Sequence, residues 1–299
     1  MTAPELQTLL LSSPSPWLIQ VLPEEIHGAA HIPGSLNACV YEMTFPEQVR
    51  ALVPDTSASI VVYGAGGGSL DAAAAVEKLR DAGYTKVEAF AGGLAEWQAA
   101  GLPVEGTGHF PDAPVPTGNF RLDAAQSVIR WTGRNLFNHH SGTLKPASGE
   151  IVLQDGRLVS ASFTVDMNSM ACEDLADPAY NAMLIAHLHS ADFFDVTHHP
   201  TAAFTASRVE KINACTDGTP NYLLHGTFTL RGITRPLVFP VLIAPSDAGR
   251  RLTAQGQFEL DRTEFGSHYG SGKLFRFLGR HLVNDHIHLH IKIHADRQG

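Results

Sequence analysis

Between His286 and His294 the residues alternate without a break. Ile287, Leu289, Ile291 and Ile293 fall on one side, and His286, His288, His290, Lys292 and His294 on the other. Only a β-strand repeats its side-chain direction every two residues, so this stretch reads as a strand with one apolar face. The same rhythm recurs upstream. Val159, Ala161, Phe163, Val165 and Met167 alternate with small polar residues. Tyr222, Leu224, Phe228 and Leu230 share one side of their segment, and Leu237, Phe239, Val241 and Ile243, then Leu252, Phe258 and Leu260, repeat the pattern. Many half-buried strands separated by turn residues point to a sandwich or a barrel. One helix interrupts them. It opens on Asp177-Pro178, a cap followed by a first-turn proline, and runs to Leu188. Phe193-Phe194, a turn at His199-Pro200 and a strand over 201–209 follow. A run this aromatic and this short of long charged side chains belongs to a core or a pocket.

The first third obeys a different pattern. Short apolar runs at 17–21, 60–63 and 87–90 alternate with helical segments at 72–81 and 94–100; Ser69 and Asp71 can cap the first helix and Gly83 can stop it. Strand and helix in alternation imply a parallel sheet covered on both faces. Between the two patterns lies GTGHFPDAPVPTG, with three prolines and three glycines, an exposed connector stiffened by proline. The chain of 299 residues therefore divides into an α/β domain over 1–106, a linker over 107–118 and an all-β domain over 119–299.

Composition excludes several classes. Residues 1–110 hold four Lys/Arg against twelve Asp/Glu, and no basic stripe exists there to neutralise phosphates, which argues against nucleic acid. No apolar run approaches the ~20 residues of a membrane span. The first residues lack the basic start and small-residue cleavage site of a signal peptide, so a soluble, cytoplasmic protein is expected. Cys39, Cys172 and Cys215 are odd in number and far apart, which fits neither a disulfide framework nor a CxxC metal site.

HIPGSLN (His31–Asn37), VVYGAGGGS (Val61–Ser69) and AGGLAEWQAAGLPVEG (Ala91–Gly106) come in an order that resembles a rhodanese-like domain. In sulfur-transferring members the loop after the VVY strand carries a cysteine that becomes a persulfide. Here the corresponding positions are Gly64 and Ser69, and neither can supply a thiolate. The resemblance therefore implies a domain without sulfurtransferase activity. The loop Gly64, Ala65, Gly66, Gly67, Gly68, Ser69 could still offer amides to an anion, or could simply be a glycine-rich turn left without chemistry.

HLHSADFFDVTHHPTAAF, LHGTFTLRGITRPLVFPV, QFELDRTEFG and HLVNDHIHLHI occur in an order that resembles the YceI-like lipid-binding proteins. The resemblance implies an antiparallel, lipocalin-like β-barrel with one helix, enclosing a long apolar ligand: a polyisoprenoid or a quinone-like isoprenoid lipid. On the apolar phase of the proposed strands, Trp131, Phe163, Phe204, Tyr222, Phe228, Phe239 and Phe258 are the expected lumen lining. Phe265, Tyr269, Phe275 and Phe277, in a long glycine-rich segment, are expected at its mouth or in a packed surface loop, with Asn135, His139 and His281 as the polar contacts. The histidines of the last strand share its polar face and should point outward, so no metal site and no catalytic residue is assigned. The expected protein is a carrier of an apolar small molecule that needs no cofactor, with the rhodanese-like half as a regulatory or interaction module; a homodimer is compatible with it. The competing reading is an enzyme using His and Asp groups at the barrel mouth, with or without a metal.

Overall fold

The computed structural model describes residues 1–110 and 114–299; 111–113, inside the expected linker, lie outside the described residues. The chain forms two compact units, Met1–Ala113 and Pro114–Gly299.

The first unit contains, in chain order, α1 (Ala3–Leu10), β1 (Trp17–Gln20), α2 (Glu24–Ala29), β2 (Leu36–Asn37), α3 (Phe45–Leu52), β3 (Ser59–Tyr63), α4 (Asp71–Asp81), β4 (Lys86–Phe90) and α5 (Gly93–Ala99). The four strands pair in parallel in the order β2-β1-β3-β4. Strand β3 shows why its apolar run has no polar alternation. Ile60 and Val62 face one core with Phe45, Val49 and Leu79, while Val61 and Tyr63 face a second with Leu6, Leu94 and Trp97. Both faces are dry, so both phases must be apolar. The sequence pattern had not separated α1, α2 and α3 as helices.

The second unit adds β5 (Gly118–Leu122), β6 (Val128–Arg134), β7 (His139–Gln154), β8 (Arg157–Cys172), α6 (Pro178–His189), β9 (Thr201–Lys211), β10 (Tyr222–Leu230), β11 (Ile233–Ser246), β12 (Arg251–Asp261) and β13 (His286–Arg297). Every pairing is antiparallel, and β12 pairs with β13 over eleven residue pairs from Arg251↔Asp296 to Asp261↔His286. That pairing closes the sheet. The short strands β5 and β6 share one position between β7 and β13, at opposite ends. The result is a closed, eight-position antiparallel barrel with one helix, and closure removes the exposed sheet edges. Helix α6 is capped as its sequence predicts: the Asp177 carboxylate accepts from the amides of Ala179 and Tyr180. Among the described residues, no helix is long and apolar enough to cross a membrane.

Candidate functional site

The barrel is solid at one end and hollow at the other. At the solid end Phe120, Leu153, Leu158, Tyr222, Ile243 and Leu252 are buried and fill the interior. A layer of four rings tops this plug. Phe163 meets Phe204 at 5.6 Å between centroids, Phe204 meets Phe239 at 5.0 Å, and Phe239 stacks on Phe258 at 4.6 Å. Above it lies a cavity of about 320 Å³, at the lower end of the range for small-molecule sites.

The apolar wall of this cavity comes from alternate residues of successive strands: Ile129 and Trp131 on β6, Phe163, Val165 and Met167 on β8, Phe228 and Leu230 on β10, Phe258 and Leu260 on β12, and Ile287, Leu289 and Ile291 on β13. Helix α6 and the turn after it complete the wall with Leu184, His187, Leu188, Phe193 and Phe194. The His187 ring lies edge-on to Phe193 at 5.3 Å and to Tyr269 at 4.5 Å. At the outer end the lining turns polar, through Arg134, Asn135, Asn138, His140, Arg280, His281 and Asn284. No carboxylate lines the cavity among the described residues.

Of the residues expected from sequence, Trp131, Phe163, Phe228, Phe258, Tyr269, Asn135 and His281 line the cavity. The others lie elsewhere. Phe204 and Phe239 are in the floor beneath Phe163 and Phe258, and Tyr222 is in the plug, its hydroxyl near the Leu158 amide at 3.3 Å. All three have the inward phase, but phase does not fix depth. Phe265 is buried behind the wall, edge-on to Phe228 at 5.7 Å. Phe275 and Phe277 stand in solvent. His139 is exposed, while its neighbour His140 faces the cavity, as alternation along β7 requires. Met167, Met170, His187, Phe193, Phe194 and Arg262 line the cavity without having been singled out as ligand contacts.

Because Ile287, Leu289 and Ile291 face inward, His286, His288 and His290 take the outer face, where His288 meets Glu259 at 2.6 Å. Among the described residues, the donors that converge are His140, Cys172 and Asp174, whose ligand atoms lie within 4.8 Å of one another. Asp174 accepts from His140 at 2.9 Å, from the Ser141 amide at 2.7 Å and from the Cys172 thiol at 3.3 Å. Its partial burial pushes the carboxyl up, but these hydrogen bonds outweigh that and hold it at about 2. Burial raises the Cys172 thiol, so the cluster is a hydrogen-bonded knot in its present form rather than a thiolate nucleophile. Asp261 behaves like Asp174. Burial opposes ionisation, while hydrogen bonds from Lys273 and Thr263 bring it down to about 2.

Both carboxyls sit below the unfolded value of about 3.9. Their stabilisation is present above that pH and is lost as pH falls through the folded value. The barrel should therefore lose stability between about pH 4 and pH 2. Urea midpoints measured across that window should fall less steeply for Asp261→Asn than for the parent, and parallel slopes would contradict the assignment.

In the first unit, the glycine-rich loop is already occupied by its own chain. The N-cap position of α4 falls on Leu70, whose side chain makes no cap, so neither Ser69 nor Asp71 is the cap that the sequence led us to expect. Asp71, the first helical residue, is buried and turns its carboxylate into the loop. It accepts from the Ala65 amide at 2.9 Å, the Ser69 hydroxyl at 2.8 Å and the Ala72 amide at 2.7 Å. A β-carbon on Gly64 would come within 2.1 Å of that carboxyl. Gly66 is fixed separately, at φ +83° with an added β-carbon 1.9 Å from the Gly92 carbonyl oxygen. An internal carboxylate thus occupies the anion cradle. Installing the missing thiol by Gly64→Cys is expected to leave thiocyanate formation from thiosulfate and cyanide at background, because Asp71 fills the space and repels both a thiolate and an anionic substrate. Turnover by that variant would show that Asp71 yields.

Residues 120–295 match the model of the YceI-like domain. The chain belongs to the YceI-like family. Residues 2–100 match the rhodanese-like domain, so a rhodanese-like unit is fused ahead of the YceI-like domain. Among solved structures, Burkholderia cenocepacia BcnA is 22% identical with a TM-score of 0.46, over 58% of this chain and 98% of its own. A polyisoprenoid binding domain from Saccharophagus degradans is 12% identical with a TM-score of 0.42, over 60% of this chain and 98% of that one. Among curated relatives, an HTH-type transcriptional regulator of Mycobacterium tuberculosis is 38% identical over 102 residues, 34% of this chain and 41% of the regulator. A UPF0312 protein of Pectobacterium carotovorum is 45% identical over 51 residues, 17% of this chain and 23% of that protein. The matches thus span less than half the length of either curated relative.

Proposed function

We infer that the YceI-like barrel is a cytoplasmic carrier for one long apolar molecule of the polyisoprenoid or isoprenoid-quinone class. The observation that carries this reading is the hollow end of an otherwise solid barrel: about 320 Å³ walled mainly by aromatic and aliphatic side chains, with His187 and Arg262 in the wall and the other polar groups at its outer end. A chain buried there gains about 0.8 kcal/mol per methylene removed from water, offset by the freedom lost on association. Orientation would come from the outer groups. The Asn135 side-chain oxygen is committed to the amides of Phe137 and Asn138, so its NH2 group, with His281 and the guanidinium groups of Arg134 and Arg280, can meet a ligand's polar end. The rhodanese-like unit acts as a regulatory or protein-interaction module, because its loop offers neither a thiol nor a vacant anion site.

Titrating delipidated protein with a fluorescent polyene chain and then displacing it with a polyprenol tests this reading. One saturable site, cleared by the polyprenol and not by a short alcohol, is the expected result; no saturable uptake would overturn it. One observation favours a second reading, a metal-dependent enzyme at the mouth: His140 faces the cavity while sharing Asp174 with Cys172. Stoichiometric zinc that is lost in Cys172→Ser, with no uptake of the polyene, would favour that reading over the carrier.

A further inference from the structure

The rim of the cavity is built unlike the rest of the surface. Residues 272–283, GKLFRFLGRHLV, carry Lys273, Arg276 and Arg280 and no acidic residue, in a chain whose net charge is −9. Leu274, Phe275 and Phe277 in that run are exposed, Phe277 completely. Phe277 also sits at φ +62°, a left-handed backbone that is strained for a bulky residue. An exposed ring on a strained backbone returns nothing to the chain in water.

A second segment beside it has the same character. In the β6–β7 turn, Leu136 and Phe137 are exposed. The two segments are joined at the opening, since Asn135 bridges to Val283 and the Asn284 amide donates to the Arg134 carbonyl at 2.8 Å. Both also border the cavity, through Asn135, Asn138, Arg280 and His281. Arg134, Arg276 and Arg280 form no ion pair among the described residues. Exposed apolar side chains scattered singly need no explanation, but two adjoining sets ringed by unpaired cations mark an interaction face.

We propose that this rim docks the barrel mouth onto an anionic lipid bilayer. Charge selects the partner. A chain with net negative charge is repelled by an anionic surface everywhere except where cations cluster, so the basic rim both attracts and orients it. The aromatic and leucine side chains then enter the interfacial layer, as in amphipathic anchors that lie on a membrane without crossing it. The mouth consequently faces the bilayer, and an apolar ligand passes between cavity and membrane without crossing water. The docking step rests on the carrier reading for its purpose but not for its test.

Flotation of the full chain with phosphatidylcholine vesicles, with and without phosphatidylglycerol, tests it. The parent should float with the anionic vesicles, lose binding as salt rises, and bind pure phosphatidylcholine only weakly. Arg276→Gln should lower the partition coefficient roughly fivefold, from about 1 kcal/mol per basic residue at such a surface. Phe275→Ser/Phe277→Ser should abolish flotation while circular dichroism stays that of the parent, because both side chains are exposed. Equal binding to both vesicle types, or anionic binding untouched by these variants, would overturn the proposal. A parent that takes up the polyene in solution but floats with neither vesicle type would refute docking and leave the carrier reading standing. Flotation without polyene uptake would do the reverse.

Discussion

Arg262→Ala is expected to lower the stability of the barrel domain by about 3–5 kcal/mol, the usual cost of removing one partner from a buried charged network. Arg262 is fully buried at the end of β12. Its Nε donates to the Asn284 carbonyl at 3.1 Å, Nη1 to Ser267 at 2.7 Å and Nη2 to Val283 at 3.1 Å, while Asp285 lies 3.7 Å away. The guanidinium also covers the Phe193 ring at 5.0 Å. One side chain thus ties the segment after β12 to the approach to β13 and to the cavity wall. Alanine would strand three carbonyls and leave the partly buried Asp285 carboxylate without its cation. Arg262→Lys keeps the charge but lacks the planar fork, so it should recover only part of the loss. Urea denaturation of the two domains need not be a single transition; with Trp17 and Trp97 of the first unit replaced by Phe in parent and variant alike, the fluorescence of Trp131, the one tryptophan after residue 119, follows the barrel. A loss under about 1 kcal/mol would mean that the segment holds without this clamp.

The second large effect separates the cavity from its floor. Phe163→Asp is expected to leave the barrel folded and to weaken ligand retention at least 100-fold, equivalent to about 2.7 kcal/mol. Phe163 is half-buried and faces the cavity, so a carboxylate there keeps access to solvent until a ligand excludes it, and then pays for desolvation. Phe204 lies one ring deeper and is fully buried. Phe204→Asp places a charge where no water reaches and is expected to unfold the barrel. Circular dichroism and ligand retention measured together distinguish the two outcomes. Equal retention by folded Phe163→Asp protein would move the ligand elsewhere.

These contrasts also show what a linear sequence can carry. Alternation along β13 assigns its two faces correctly, because the two-residue period is a local property of a strand. Alternation alone leaves sandwich and barrel both open; the barrel is what the YceI-like resemblance implies, and the β12–β13 pairing closes it. Depth along the barrel axis is a property of register between strands, so Phe204, Tyr222 and Phe239 share the inward phase with Phe163 yet lie in the floor or the plug. His139, expected as a polar contact, is exposed at the start of β7, and its neighbour His140 faces the cavity instead. Arg262 gave no sign of burial; the hint available was an arginine between Asp261 and a glycine-rich run that ends at Asp285. Asp71 read as a helix cap because short polar residues before a helix usually are. Its actual role depends on the space left by Gly64, which only the three-dimensional loop reveals. Phe193 and Phe194 were legible as a core or pocket, but not as the part of the wall beneath α6.

Native mass spectrometry of the full chain, purified without delipidation from cells that make isoprenoid lipids, tests the carrier reading most directly. The account predicts one lipid adduct per chain, released by organic solvent as an isoprenoid, retained by Phe275→Ser/Phe277→Ser and missing from folded Phe163→Asp. A chain that carries no adduct and takes up none from added polyprenol, or an adduct that survives Phe163→Asp unchanged, would contradict it.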